Sequence, residues 1–193
     1  MAQDSITKYK LLIIGGSAGS LDGILKIITA LPVNKQVTTV VVVHRKNDVE
    51  SILTDLLATR TKLKVKEVED KESIFGGTVY IAPSDYHLLI ENDKLFSLDS
   101  SEKVHHSRPS IDVSFESAAH VFGNAVIGIL LSGANADGAE GLRKIHEAGG
   151  FTIVQDPAFS EVGYMPQQAL DQMRPDKILN TEAIALFIKE LIQ

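Results

Sequence analysis

The sequence predicts an α/β protein with a doubly wound, mostly parallel sheet, helices on both faces and an antiparallel hairpin. Short continuous apolar runs, such as residues 11–14 and 37–43, indicate buried strands. Segments with helical spacing of apolar side chains alternate with these runs, which is typical of a parallel sheet covered on both faces. The length of 193 residues is enough for one sizeable core, so we expect a single domain over residues 1–193.

The first half of the chain alternates the two patterns. Helical spacing after the first strand comes from apolar residues at positions 21, 24, 25, 27 and 28. Two apolar segments on either side of Asn92 and Asp93 indicate a hairpin. We predict strands over residues 10–14, 37–43, 63–68 and 78–82, helices up to about residue 30 and over about 49–59, and hairpin strands over 86–90 and 94–98.

The second half begins with an irregular polar segment over residues 99–109. Ser110 then caps a predicted helix whose apolar face includes Ile111 and Phe115, and Gly123 ends it. The remaining predicted elements are a strand over 125–131, a helix over 137–148 that ends at Gly149, a strand over 151–154, a short helix near Pro166, a strand over 177–179 and a helix over 181–192.

The composition excludes several classes of function. The net charge of −6 and the isoelectric point near 5.5 argue against nucleic acid as a partner, because nucleic-acid-binding domains present a basic face. The chain has no cysteine, which excludes disulfides and thiol nucleophiles and fits a cytoplasmic location. No segment resembles a signal peptide or a membrane span, so we expect no membrane insertion. His105 and His106 lack a third ligand at metal-binding spacing, so we expect no metal.

Ser17 is the first candidate for a catalytic residue. It lies in the sequence Gly15-Gly16-Ser17-Ala18-Gly19, between a predicted strand and a predicted helix. A tight turn at this position brings the hydroxyl to the edge of the sheet and puts the next backbone N–H at a helix N-terminus, where negative charge is favoured. These are the requirements of a serine nucleophile, although a plain turn has a similar composition.

A nucleotide-binding module is an alternative for the same turn. The dinucleotide fingerprint needs glycines at G-x-G-x-x-G and an acidic residue about 20 positions later. Gly15 fits the first position, but Ser17 and Ser20 stand at the other two, and His44 ends the second strand. A non-catalytic interaction domain of the same fold is a further alternative.

The carboxyl ends of the predicted strands carry three polar groups. Ser17 follows the first strand, His44 follows the second, and residues 132–137 follow the strand over 125–131. Parallel strands end at the same edge of a sheet, where ligands bind in such folds. Serine hydrolysis requires a hydroxyl, an imidazole and a carboxylate. The sequence therefore predicts a catalytic site of Ser17, His44 and Asp137.

Asp137 has a second interpretation. With Glu140 at the third helical position it fits the N-cap of the following helix, and position alone favours this role. The two roles are compatible because a carboxylate has two oxygens. Both interpretations stay open at this point.

Several further motifs follow one another in a fixed order along the chain. They are Tyr80-Ile81-Ala82-Pro83, Arg108-Pro109-Ser110-Ile111-Asp112-Val113, Leu131-Ser132-Gly133, Asp137-Gly138-Ala139 and Gly163-Tyr164-Met165-Pro166. Together with the segments around Ser17 and His44, they resemble the catalytic domain of the chemotaxis protein-glutamate methylesterase (CheB-type) family. The resemblance extends from about Lys10 to the C-terminus.

The resemblance implies a serine hydrolase that demethylates glutamate γ-methyl esters on a methylated chemoreceptor-like protein and deamidates glutamine at the same sites. It implies that Ser17 is the nucleophile, that His44 is the general base and that Asp137 orients His44. The backbone N–H groups of Ala18 and Ala134 would form the oxyanion hole. No cofactor is implied.

The chain departs from the family pattern at a few positions. Ser20 stands where a second glycine is usual, and Ala134 and Asn135 stand where methionine and glycine are usual. Alanine still supplies a backbone N–H, and asparagine tolerates positive φ better than most residues. Only about ten residues precede the first strand, where many relatives carry a phosphorylatable receiver domain. We therefore expect an open catalytic face that is regulated in trans or by expression.

Overall fold

The computed structural model describes residues 8–44, 50–92 and 94–193. Its strands are β1 (Leu11–Gly16), β2 (Thr38–Val43), β3 (Lys64–Glu67), β4 (Thr78–Ile81), β5 (His87–Ile90), β6 (Phe96–Asp99), β7 (Val126–Leu130), β8 (Phe151–Gln155) and β9 (Lys177–Leu179). In the described residues, seven of them form a parallel sheet of order β3-β4-β2-β1-β7-β8-β9, and β5 pairs with β6 as an antiparallel hairpin. The predicted α/β class is confirmed.

Helices cover both faces of the sheet. They are α1 (Leu21–Ala30), α2 (Glu50–Ala58), α3 (Ile111–Phe122), α4 (Ala139–Glu147), α5 (Tyr164–Gln172) and α6 (Thr181–Ile192). Successive strand residues point to opposite faces, so β1 contributes to both cores. Leu12 joins a buried cluster with side chains of α1, α2 and α6, whereas Leu11 joins one with side chains of α3, α4 and α5. No helix among the described residues is both long enough and apolar enough to cross a bilayer.

The order of the strands reverses at β1, in the centre of the sheet. The chain passes from β1 to β2 on one side and later returns to pair β7 with β1 on the other side. Gly16 at the end of β1 lies opposite Val43 at the end of β2, so the next residues, Ser17 and His44, leave the sheet side by side. Ligands bind at such switch points in open α/β sheets. The predicted site therefore lies where this fold favours one.

The structure differs from the predictions mainly at element ends. β1 continues to Gly16 instead of ending at residue 14, because both glycines still pair with β2. Gly15 also lets α3 approach closely, since an added Cβ would lie 2.4 Å from Ile111 Cγ2. The helix predicted over 137–148 begins at Ala139, because Gly138 adopts a left-handed φ of 93°.

The later elements show similar differences. The helix predicted near Pro166 begins at Tyr164, and the proline fits its first turn because the missing N–H has no helical acceptor there. Short 3₁₀ segments at Gly123–Ala125 and Pro157–Phe159 are absent from the predictions. The predicted start of α2 at residue 49 and the hairpin residue Asp93 lie outside the described residues.

Candidate active site

Ser17 directly follows β1 in a tight turn. The Ser20 N–H donates to the Ser17 carbonyl (3.1 Å), and Gly19 has a φ of 75°, the left-handed conformation that the third residue of a type II turn requires. The Ser20 hydroxyl also donates to the Ser17 carbonyl (2.7 Å). Because α1 begins at Leu21, the turn places Ser17 between the carboxyl end of β1 and the N-terminus of α1.

His44 follows β2, and its ring contacts Asp137. The His44 backbone N–H donates to the Gly16 carbonyl (3.3 Å), which continues the pairing of β1 with β2. Ring atom Nε2 lies 2.7 Å from Asp137 Oδ2. A carboxylate only accepts hydrogen bonds, so Nε2 carries the proton and Nδ1 is the nitrogen that is free to take one up.

The Asp137 carboxylate lies at the N-terminus of α3. Oδ1 accepts from the Ser110 hydroxyl (2.8 Å) and the Asp112 N–H (3.0 Å). Oδ2 accepts from the Ile111 N–H (2.7 Å) in addition to the ring of His44. Burial raises the pKa of this carboxyl, but the hydrogen bonds from His44 and the backbone N–H groups outweigh burial and hold the pKa below its usual value. The buried carboxylate is therefore ionised and can orient the histidine ring.

The position of Asp137 in the sequence favours it as the N-cap of α4. This interpretation is wrong, because Asp137 does not cap α4 in the structure. The residue before α4 is Gly138, and no side chain of its own segment caps the helix. The capping carboxylate comes from α3, because Asp112 Oδ1 accepts from the N–H groups of Gly138 (2.9 Å) and Gly141 (2.7 Å). Asp112 and Asp137 thus each bind the N-terminus of the other's helix. This exchange leaves Asp137 available to His44.

The predicted oxyanion donors are the backbone N–H groups of Ala18 and Ala134. Neither group donates to an acceptor within residues 8–44, 50–92 and 94–193. Ser132 connects the two segments, since its carbonyl accepts from the Ser17 N–H (2.9 Å) and its hydroxyl donates to the Ala18 carbonyl (2.7 Å). These bonds hold the Ser17 turn against the loop that carries Ala134. The oxyanion hole stays a prediction, for which the geometry leaves both donors available.

Ser17 and His44 lie beside each other, but their side chains are not joined. Within the part of the chain that the structure describes, no hydrogen bond connects the Ser17 hydroxyl to the His44 ring. His44 Nδ1 instead faces the Ser107 hydroxyl at 3.3 Å. The structure therefore brings together the histidine and the aspartate of the predicted site and places the serine on the adjacent strand end.

A group of potential metal ligands lies next to the site. Atoms of His105, Asp112 and Asp137 lie within 4.8 Å of one another. The Asp137 oxygens already accept hydrogen bonds from α3 and His44, and Asp112 Oδ1 accepts from the start of α4. His105 Nε2 lies 3.2 Å from Asp112 Oδ2. The three residues thus form a hydrogen-bonded network, and we assign no metal to them.

Several site residues were missed by the sequence interpretation. Ser110 is predicted as a helix cap, and its hydroxyl does accept from the Val113 N–H (3.4 Å), but its bond to Asp137 is not predicted. The sequence patterns assign no individual role to Asp112, Ser132 or Ser107. The signal available for Ser110 and Asp112 was their place in one motif, directly before a predicted helix.

The pH dependence of stability provides a test of the buried acidic pair. Burial and the nearby charge of Asp137 raise the pKa of Asp112 to about 6, from 3.8 in the absence of structure. The folded chain therefore binds this proton more tightly, and the contribution of Asp112 to the free energy of unfolding falls as pH rises from about 4 to about 6. Asp137 affects the free energy of unfolding over a different pH range. Because its pKa is lowered, the stabilisation that it provides is lost only below about pH 4.

Replacing Asp112 by asparagine is expected to remove this dependence while retaining an oxygen acceptor for α4. The stability of D112N relative to the native chain should increase by on the order of 2 kcal/mol between pH 4 and pH 7, as measured by urea unfolding. D156N is a matched control, because Asp156 also accepts from a backbone N–H at the start of a helical segment, that of Ala158 (2.9 Å), but lies outside the buried acidic pair. A constant difference between D112N and the native chain across this range would contradict the assignment.

Replacing Ser110 by alanine is expected to lower both stability and activity. The variant loses a helix cap, which costs about 1 kcal/mol, and a hydrogen bond that holds Asp137 against His44. We expect the reaction at this site to slow about tenfold, the effect of about 1.4 kcal/mol on the barrier. The control N180A removes the cap of α6, where Asn180 accepts from the Ala183 N–H (2.9 Å). Equal activity losses in S110A and N180A would show that Ser110 has only a structural role.

The fold and the site define a class of protein. A parallel α/β sheet that presents a serine, a histidine and a buried aspartate at the ends of adjacent strands has the form of a serine hydrolase domain. A family model described as CheB methylesterase matches residues 12–188. The chain belongs to the CheB methylesterase family.

Relatives and a solved structure agree with this family. A relative from Leptospira interrogans, provisionally named protein-glutamate methylesterase/protein-glutamine glutaminase, is 44% identical over 182 residues, which cover 94% of each chain. A relative of that name from Carboxydothermus hydrogenoformans is 38% identical over 91% of this chain, which spans about half (53%) of the relative's length. The crystal structure of the Thermotoga maritima CheB methylesterase catalytic domain matches with a TM-score of 0.90 and 34% identity, covering 95% of this chain and 99% of that chain. The nucleotide-binding alternative is not favoured.

Proposed function

We propose that the chain hydrolyses γ-methyl esters of glutamate residues in a chemoreceptor-like protein and releases methanol. The observation that carries the proposal is the His44–Asp137 hydrogen bond of 2.7 Å, placed beside Ser17 at the switch point of the sheet in a member of this family. Relatives named protein-glutamate methylesterase/protein-glutamine glutaminase support this choice of substrate.

In the first half of the reaction, Ser17 Oγ attacks the ester carbonyl. His44 Nδ1 takes the serine proton, and the Asp137 carboxylate stabilises the resulting imidazolium through Nε2–H. The N–H groups of Ala18 and Ala134 stabilise the negative charge that develops on the carbonyl oxygen. The imidazolium then gives its proton to the leaving methoxide, so that methanol leaves and a glutamyl ester of Ser17 remains.

In the second half, water hydrolyses the acyl-enzyme. His44 removes a proton from the attacking water and returns it to the Ser17 oxygen when the ester bond breaks. The products are a free glutamate carboxylate and the original enzyme. Glutamine follows the same two steps with ammonia as the leaving group, which accounts for both activities in the names of the relatives. Both reactions balance with water as the only co-substrate.

We also propose that the chain acts in the cytoplasm on a protein substrate and that a regulator acts on it in trans. Fractionation of cells tests the first statement, and a partner that co-purifies with the chain and changes its rate of methanol release tests the second.

The direct test is methanol release from a purified receptor segment whose glutamates have been methylated. We expect the native chain to release methanol and to restore the free carboxylates, as followed by mass spectrometry of the segment. The same segment with glutamine at those positions should release ammonia. Substrate peptides that remain methylated after incubation with folded, native chain would contradict the proposal.

A further inference from the structure

The Ser107 hydroxyl is hydrogen-bonded to His44 Nδ1, the nitrogen that acts as the base in the proposed reaction. Ser107 Oγ lies 3.3 Å from Nδ1. The ring donates from Nε2 to Asp137, so Nδ1 has a lone pair and no proton. The hydrogen bond therefore runs from the Ser107 hydroxyl to the ring. It involves the atom that must accept the proton of Ser17 in the proposed reaction.

Ser107 is held in this position from two sides. Val104 and Ser107 pair through both backbone hydrogen bonds (3.2 and 2.9 Å) across a tight turn. The intervening His105 and His106 have left-handed φ values of 48° and 62°, the pattern of a type I′ turn. The Asn135 side chain donates from Nδ2 to Ser107 Oγ (3.2 Å) and to the His105 carbonyl (3.4 Å).

The bond from Asn135 orients the Ser107 hydroxyl. A hydroxyl has one hydrogen and two lone pairs. Asn135 Nδ2 donates to one lone pair of Ser107 Oγ, and the hydroxyl hydrogen has two acceptors within reach, of which His44 Nδ1 (3.3 Å) is nearer than the His105 carbonyl (3.4 Å). Asn135 itself is tied to the acid loop, because its Oδ1 accepts from the Asp137 N–H (3.2 Å). The arrangement thus links both ring nitrogens of His44 to the same loop.

Two hydroxyls compete for one lone pair at this nitrogen. The neutral imidazole has a single acceptor nitrogen, and in the described residues Ser107 rather than Ser17 is bonded to it. Ser17 becomes an activated nucleophile only when its own hydroxyl donates to Nδ1. The bond from Ser107 therefore has to break or weaken before Ser17 reacts.

We propose that Ser107 is a positioning residue whose hydroxyl donates to His44 Nδ1 when no substrate is bound. When an ester binds, this hydrogen bond is replaced by one from the Ser17 hydroxyl to Nδ1. The inference rests on the proposed function, in which Ser17 is the nucleophile and His44 is the base. If the hydrogen bond from Ser107 to His44 has the ordinary net strength of a protein hydrogen bond, it lowers the fraction of Ser17 that is activated by His44 about fivefold. The effect is therefore measurable without being essential for catalysis.

The test compares the native chain with S107A and S107T. A small phosphonofluoridate reacts with an activated serine without needing the protein substrate, and intact-mass measurements give the second-order labelling rate. We expect S107A to be labelled at Ser17 about fivefold faster than the native chain. S107T retains the hydroxyl and should be labelled within about twofold of the native rate. A purely structural role would give slower labelling of S107A together with a lower melting temperature.

A second measurement uses only the native chain, so it holds even if S107A fails to fold. Imidazole ¹⁵N NMR of His44 should show the proton on Nε2 and a hydrogen-bonded acceptor at Nδ1. An unchanged or slower labelling rate in folded S107A would overturn the inference alone, whereas a proton on Nδ1 would contradict both the inference and the role of Nδ1 as the base in the proposed function. Failure of the phosphonofluoridate to label Ser17 in the native chain would instead contradict the proposed function, and this inference with it.

Discussion

Replacing either Ser17 or His44 by alanine is expected to abolish nearly all ester hydrolysis, by a factor of about 10⁶ in kcat. Without the Ser17 hydroxyl there is no nucleophile, and without the His44 ring there is no acceptor for its proton. The double variant should be little slower than either single variant, because the two residues act as a unit. Methanol release from a methylated receptor segment measures all three rates.

Two matched controls separate this effect from general damage. S97A removes a hydroxyl on the hairpin strand β6, and H120A removes a ring on α3 outside the site. Both should retain hydrolysis close to the native rate. Additive losses from Ser17 and His44 would show that the two residues do not act as a unit, and substantial hydrolysis by folded S17A would show that another group is the nucleophile.

Replacing Asp137 by asparagine is expected to lower kcat by about 10⁴-fold. The ionised carboxylate keeps the His44 proton on Nε2, through the 2.7 Å bond to Oδ2. An asparagine amide can donate to Nε2 instead, which moves the proton to Nδ1 and removes the base. Methanol release by D137N provides the measurement. Hydrolysis at a near-native rate would mean that Asp137 does not set the tautomer.

The structure also predicts a stability cost for D137N. The carboxylate is fully buried and accepts from Ser110, Ile111 and Asp112 as well as from His44. Asparagine offers one oxygen, so some of these donors face an NH₂ group. We expect the free energy of unfolding to fall by about 1–3 kcal/mol, as measured by urea unfolding. A simple helix cap would lose only a few tenths of a kcal/mol, since asparagine caps as well as aspartate.

The sequence contains enough information to predict the edge of the sheet at which the site lies. Continuous apolar runs identify β1, β2 and β7 because each is buried on both faces, and the residues that follow them are polar. Parallel pairing then requires Ser17, His44 and the loop before Asp137 to leave the same edge. The strand order itself does not follow from these local patterns, because it depends on contacts between segments far apart in the chain.

The sequence could not predict the partners of Asp137. A capping pattern in the sequence describes one helix at a time. Here Asp137, which precedes α4, accepts from the N-terminus of α3, and Asp112 of α3 accepts from the N-terminus of α4. Gly138 makes this exchange possible, since its φ of 93° separates Asp137 from the first turn of α4. Ser107 could not be predicted either, because residues 99–109 have no apolar periodicity and its contact with His44 joins residues 63 positions apart.

If Ser17 is a nucleophile activated by His44, a serine-reactive reagent should modify Ser17 and should need His44 to do so. The native chain is treated with a serine-reactive phosphonofluoridate and mapped by peptide mass spectrometry, in parallel with H44A. We expect a single adduct on the peptide that contains Ser17, and little or no adduct in H44A. An adduct on Ser107 or another serine, or equal labelling of Ser17 in the native chain and H44A, would contradict the activation of Ser17 by His44.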